Sequence, residues 1–323
     1  MSLCIGSVVQ ETIGQLAALA GPAACVAAGH WSKLKTNPPL ILLRTVARWH
    51  GALWVGGLGG AAQWQPAAQA WKKQNDGLLP PQWSNQPFVT TLVPHGDHLW
   101  LIQVSAGPNA LLRRSDNDLS WTGMPDAPTN ARTLLTSAGH CFLGSAEGVA
   151  QWDDASDLWA PISPPLEATV TALAPADESS DDLFVGTAAG AIWLLDPWAQ
   201  VAWNVNASVD GTAIRALQPY GDYQYVATAD TLHRCWNFAS SCEPIDPAAG
   251  FGFPEIPTAL AVWKGQLFLG ASDGVYRLDA DEETWQPLQS GFPSHPVIVQ
   301  TLTATSRLYA ATEHSLWRWR CGK

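Results

Sequence analysis

Phe268-Leu269-Gly270-Ala271-Ser272-Asp273-Gly274-Val275-Tyr276-Arg277-Leu278 reads as two short apolar strands around a glycine-containing turn, and Thr284-Trp285-Gln286-Pro287-Leu288 follows as a third. Short apolar runs bounded by turn residues are strand signals. The first of these runs, ending on a small residue, recurs along the chain. Its copies are Leu53-Trp54-Val55-Gly56, Trp100-Leu101-Ile102, Phe142-Leu143-Gly144, Phe184-Val185-Gly186, Tyr225-Val226-Ala227 and Tyr309-Ala310-Ala311. The copies end at residues 56, 102, 144, 186, 227, 270 and 311, in steps of 46, 42, 42, 41, 43 and 41. A second pattern runs out of phase with the first. Trp31, Trp71, Trp121, Trp159, Trp203 and Trp285 each open a short outer-strand segment, and Cys242 stands in the one gap. A period near 42 residues with β-type composition is the signature of a propeller blade.

Each repeat reads as four strands. Strand a, the innermost, opens on a short motif: Arg44-Thr45-Val46, Thr90-Thr91-Leu92, Arg132-Thr133-Leu134, Thr171-Ala172-Leu173, Arg215-Ala216-Leu217, Thr258-Ala259-Leu260 and Gln300-Thr301-Leu302. Strand b is the apolar-small run, strand c follows the glycine turn, and strand d carries the tryptophan. The last repeat stops after strand c, Leu316-Trp317-Arg318-Trp319-Arg320. An orphan strand d, His30-Trp31-Ser32-Lys33-Leu34, stands before the first. The units match only if the first strand completes the last blade, which also removes two open sheet edges. The expected fold is therefore all-β: a seven-bladed propeller over residues 29–323, closed by its N-terminal strand. Residues 1–28 form an extension. Ser7 as N-cap, Gln10 three residues on, and Val9, Ile13, Leu16 and Leu19 on one face predict a short helix over 8–20, stopped by Gly21-Pro22.

Two segments, Leu53-Trp54-Val55-Gly56-Gly57 and Leu183-Phe184-Val185-Gly186-Thr187 with Leu195-Asp196-Pro197 after it, carry a family resemblance. They resemble the propeller repeats in sensor modules of two-component regulators, and the likeness extends over residues 30–323. It implies the fold. It does not imply a function, because such repeats occur in sensors, assembly factors and enzymes alike.

Bulk properties bound the function classes. The 323-residue chain is 47% hydrophobic and 14% charged, with a formal net charge of −11. That charge argues against a general nucleic-acid binder, which needs a basic face. No apolar run reaches the length of a bilayer span. The apolar stretch from Leu16 to Ala28 has no Lys or Arg before it, so it is not a typical secretory signal, and a cytoplasmic location is the first expectation. The six cysteines include no C-x-x-C pair, and no metal or cofactor motif is present. Cys235 and Cys242 flank a six-residue turn where two outer strands can face each other. They are either a cross-strand disulfide, which would point to an extracytoplasmic setting, or buried thiols. Cys25 and Cys321 would also approach each other if the ring closes.

The chemistry that stands out is a ring. The first residues of the seven strand-a motifs are Arg44, Thr90, Arg132, Thr171, Arg215, Thr258 and Gln300, so three of the chain's 11 arginines fall on one rim of the funnel. Such a cluster suits a carboxylate, a phosphate or an acidic protein segment. Alternatively, each arginine pairs with an acidic neighbour on a b–c turn, for which Glu147, Asp230, Asp273 and Glu313 are candidates. The reading is a non-enzymatic binding or assembly propeller for an anionic group, with no cofactor. The alternative is a propeller lyase, hydrolase or cyclase acting on a carboxylate-bearing substrate, with His314, Glu313 and Glu147 as acid/base groups. A second arginine row on strand c, Arg234, Arg277 and Arg318, reads as interblade or surface pairing. His50, His95, His98 and His140 gather near the a–b turns of three neighbouring blades, where exposed turn histidines are the default reading over a metal site.

Overall fold

The computed structural model describes residues 29–164, 166–176, 181–209, 212–236, 242–245, 256–279, 284–294 and 297–321. The expected helix over residues 8–20 lies outside them, as does Cys25. Among the described residues every regular element is a β-strand, and the strands number 28. Five sheets have four antiparallel strands each. The eight-stranded sixth is two blades joined by a single bridge, Leu58 to Phe88. That gives seven blades of four strands. Each innermost strand packs on the next, and strand a of blade seven (Val299–Ala304) returns to strand a of blade one (Ile41–Trp49). No helix among the described residues is long and apolar enough to cross a membrane.

Closure occurs where the repeat count requires it. His30–Lys33 pairs antiparallel with Leu316–Arg320, in the register Trp31↔Trp319 and Ser32↔Arg318. Trp31 is buried to 1% exposure, stacks on Phe292 with ring centroids 5.1 Å apart, and meets Trp319 edge-on at 5.2 Å. Its indole N–H donates to Leu288 O of blade six at 2.8 Å. The same bond recurs in blades one and two. Trp71 donates to Thr36 O at 2.9 Å, and Trp121 to Gln74 O at 2.7 Å. Each indole thus caps the carbonyl row at the end of the preceding blade's strand d while its ring fills the interblade core. A buried tryptophan favours both an apolar cavity and an acceptor, and the position supplies both in these three blades, whereas the buried Trp159 Nε1 of blade three has no hydrogen-bond partner among the described residues. Truncating Trp31 to alanine would cost on the order of 3–5 kcal/mol.

The small residue ending strand b has a specific cause. A Cβ on Gly56 would lie 2.5 Å from Val89 Cγ1, on Gly144 2.5 Å from Val170 Cγ1, on Gly186 2.7 Å from Ile214 Cγ2, and on Gly270 2.8 Å from Val299 Cγ1. In each case the neighbour is the branched residue just ahead of the next blade's strand-a motif. Blade two inverts the pair. There Ile102 ends strand b, the facing residue is Ala131, and both are fully buried in one cluster. Interblade volume is conserved while the residues trade size, as close-packed interiors require.

Two outer strands depart from the expected pattern. In blades one, three, six and seven the strand-d tryptophan pairs with the same strand-c position: Trp64↔Trp71, Trp152↔Trp159, Leu278↔Trp285 and Trp319↔Trp31. In blade four that position, Leu195, pairs with Ala202. Trp203 is therefore one residue out of register, and it is 49% exposed where Trp31, Trp121, Trp159 and Trp285 are buried. A one-residue shift in a strand moves a side chain to the other face. In blade five the position is occupied by Cys235 and Cys242, which pair in register and form a disulfide with Cα atoms 4.0 Å apart. The covalent bond stands where the other blades place an aromatic. Cys321 is also disulfide-bonded. Cys141 is a buried free thiol, its pKa pushed up to about 12 chiefly by burial.

Candidate functional site

Strand a runs inward from the face that carries the d–a and b–c loops, so its first residues rim one mouth of the channel. Arg44, Arg132 and Arg215 are exposed there. Thr90, Thr171, Thr258 and Gln300 are half-buried between them. Arg44 Nη1 donates to Gln300 Oε1 of the neighbouring blade at 2.7 Å. Although Arg44 is exposed overall, its guanidinium is held below the ordinary arginine range, first by partial burial and then by the charge of Arg215. Blades one and five thus face each other electrostatically across the funnel. Thr90 and Thr171 donate to carbonyls of their own strand b, Ile102 O at 3.4 Å and Gly186 O at 3.3 Å. The buried Thr258 hydroxyl has no hydrogen-bond partner among the described residues.

The acidic residues proposed as internal partners are engaged elsewhere. Glu147 accepts from Thr129 N at 2.9 Å and from the Thr129 hydroxyl, which together hold its carboxyl below the usual range. Asp230 accepts from Thr228 Oγ1 at 3.1 Å, and Asp273 from the Tyr276 hydroxyl at 2.6 Å. Glu313 lies 3.5 Å from His314. None of Arg44, Arg132 and Arg215 forms an ion pair among the described residues.

Two residues further along each strand a the rim gives way to aliphatic side chains: Val46, Leu92, Leu134, Leu173, Leu217, Leu260 and Leu302. All but Leu260 are buried. Past this layer a cavity of about 670 Å³ continues toward the opposite mouth, bounded by Val46, Leu92, Leu134 and Leu302 with Arg48, Thr136 and Gln218. The charged rim therefore stands over an apolar floor, where a charge is screened less than it is in open water.

The acid/base candidates are dispersed. His314 and Glu313 belong to blade seven, and His314 borders a separate hollow with Lys73 and Gln86. Glu147 belongs to blade three. Two of the four turn histidines form bridges between blades: His50 pairs with Asp116 of blade two, and His95 Nε2 lies 3.3 Å from Asp154 Oδ2 of blade three, while His140 bonds Gln151 of its own blade. Among the described residues no three metal-ligating side chains cluster.

Two of the three arginines in the second row are paired, Arg318 forms no ion pair among the described residues, and the row is larger than its sequence spacing suggests. Arg234 Nε donates to Glu243 Oε1 at 2.8 Å and Arg277 Nη2 to Asp279 Oδ1 at 3.2 Å. Arg113 occupies the same strand-c position, opposite the strand-b aromatic: Trp100↔Arg113, Tyr225↔Arg234, Phe268↔Arg277, Tyr309↔Arg318. It lies 11 residues past the end of strand b instead of 7, because the b–c turn of blade two is four residues longer. The insertion hid it from a reading by spacing. Register, once strand c is placed by its apolar residues, would have found it.

No protein-family model matches the chain, and neither does any curated sequence. Solved structures match its fold. The extracellular domain of a hybrid two-component system from B. thetaiotaomicron shares 13% identity with a TM-score of 0.69 over 91% of this chain. The chain spans 40% of that domain's length. YCF48 bound to D1 peptide shares 12% identity with a TM-score of 0.66, covering 90% of this chain and 97% of that one. The WD40 propeller domain of Doa1 gives the same identity, TM-score and coverage. The chain thus has the fold that its repeats predicted, a propeller like that of two-component sensors.

Proposed function

We propose that the chain is a non-enzymatic binding or assembly propeller that holds an anionic group, a carboxylate or phosphate, at the rim formed by Arg44, Arg132 and Arg215. The observation that carries this reading is three exposed guanidiniums on one ring with no carboxylate partner among the described residues. Guanidiniums that converge without a counter-charge repel one another, and an external anion relieves that cost through paired N–H donors. Thr90, Thr171, Thr258 and Gln300 stand between them as polar groups that complete recognition. A ring of similar fold and length, YCF48, holds a peptide, which fits an acidic protein segment as the partner here. The catalytic alternative draws less support. Glu147 is kept ionised by Thr129 and stands blades away from His314, so the two do not form an acid–base pair.

The test uses two probes, citrate and a hexaglutamate peptide, titrated calorimetrically into the wild type and an Arg44→Ala/Arg132→Ala/Arg215→Ala variant. Wild type binds at least one probe, affinity falls as salt rises, and the triple variant stays folded and loses the interaction. A triple variant that binds as tightly as wild type contradicts the assignment.

A further inference from the structure

At the interface of blades two and three, Arg113 reaches into blade three. Its Nη2 donates to Asp157 Oδ2 at 2.7 Å, and the guanidinium lies 5.2 Å from the centre of the Trp152 ring and 5.8 Å from that of Trp100. The chain thus seats one of its own cations between indoles and a carboxylate. In blade three the same strand-c position is Gln151, paired with Phe142 as Arg113 is with Trp100. Gln151 is shorter and uncharged, and its amide stops at His140 Nδ1, 2.9 Å away.

Beside it a groove of about 500 Å³ opens between blades three and four, and no lysine or arginine lines it. Trp152 and Ile162, both buried, form its base. Trp198 is its wall, 62% exposed yet held in place. The Trp198 indole donates to Asp181 Oδ2 at 2.9 Å, its main-chain N donates to Asp196 Oδ1 at 2.8 Å, and its ring meets His140 edge-on at 5.2 Å. Opposite stand the exposed carboxylates of Asp153 and Asp154. Asp153 accepts from Ala155 N at 3.0 Å and Ser156 Oγ at 2.6 Å, and Asp154 from Trp152 Nε1 at 2.9 Å with His95 beside it. A carboxylate offers about four lone-pair sites, so both retain acceptor capacity. Leu158, Val201 and Trp203 on the outer strands of the two blades are exposed as well.

We infer that this groove docks a basic segment of a protein partner, with an arginine or lysine side chain entering between Trp198 and the carboxylates of Asp153 and Asp154. The occupant supplies from outside the cation that Arg113 supplies from within at the preceding interface. An indole face with a nearby carboxylate is cation-binding chemistry, and the net charge of −11 favours a basic partner at long range. The groove lies on the c–d turn side, opposite the arginine rim, so it does not depend on the reading of that rim.

The experiment measures fluorescence polarisation of a labelled hexa-arginine peptide with the full chain. Wild type binds. Trp198→Ala and Asp153→Asn each weaken binding at least tenfold, and Trp198→Phe retains most of it. Asp126→Asn with Glu167→Gln removes equal or greater charge from the other face and changes affinity less than twofold. The inference is overturned if wild type fails to bind, if Trp198→Ala binds like wild type, or if the Asp126/Glu167 pair loses as much affinity, which would show general attraction to an acidic chain. Near-native circular dichroism of each variant excludes unfolding as the cause of a loss.

Discussion

Arg113 and Arg215 carry the same charge on neighbouring kinds of strand, yet their surroundings differ. The guanidinium of Arg113 lies against two indoles and is forked onto Asp157, which raises its affinity for the proton, chiefly through that hydrogen bond. Arg215 stands at the mouth of the funnel, makes no ion pair among the described residues, and opposes Arg44 across the ring. The strand-c arginines Arg113, Arg234 and Arg277 pair with carboxylates of their own or the next blade, although Arg318 of the same row does not, whereas the strand-a arginines have no carboxylate partner among the described residues and only Arg44 is tied, to Gln300. Repetition alone therefore does not assign a role. Within one repeat, what each guanidinium faces separates a residue of the scaffold from a residue of the site.

The largest effect that would break this comparison is on binding. Replacing Arg44, Arg132 and Arg215 together with alanine should weaken an anionic ligand by at least 100-fold, about 2.8 kcal/mol, with the melting temperature unchanged. Calorimetry and thermal denaturation on the same samples check both halves. Replacing Arg113 with alanine should do the reverse: stability falls by about 1.5 kcal/mol through lost cation–π contact, packing and pairing, and anion affinity holds. Denaturant titration reads that loss.

A smaller effect concerns acid. Asp157 is held below the ordinary carboxylate range, first by its bond to Arg113. Its contribution is therefore complete above the unfolded value, near 4, and disappears as pH falls through the lower folded value. The melting temperature of an Arg113→Met variant should decline less steeply than that of wild type between about pH 5 and pH 2.5. The smallest effect is at Arg44 alone. Burial and Arg215 oppose its charge, while Gln300 supports it, so Arg44→Gln should shift stability by no more than about 0.5 kcal/mol. A loss of several times that would mean the rim arginine belongs to the scaffold after all.

Much of the scaffold was legible in the sequence because propeller repeats encode packing locally. The Gly56, Gly144, Gly186 and Gly270 series marks where a neighbouring blade leaves no room for a Cβ. The unmatched segments at Trp31 and Trp317 specified closure through strand counting alone. What escaped has physical causes. Trp203 matched the pattern by spacing, but one residue of shift in blade four turned it outward. Arg113 hid behind a longer turn. The Cys235–Cys242 bond was one of two readings, because spacing places two thiols opposite each other without deciding their oxidation state. The rim residues were found through their place at the start of strand a. That their acidic neighbours would instead bind Thr129, Thr228 and Tyr276 depends on turn geometry no repeat pattern carries. The Trp198 groove was also unseen, since its lining comes from separate turns and strands of two blades that no repeat pattern brings together.

The side-chain Nε–H resonances of the arginines test the central claim most directly, because paired and unpaired guanidiniums can be followed in one titration. With residue-specific assignments, addition of citrate at low salt should move the signals of Arg44, Arg132 and Arg215 together along one saturating curve and leave Arg113, Arg234 and Arg277 in place. If the rim signals stay still, or if all the arginines shift alike without saturating, the rim is not an anion site.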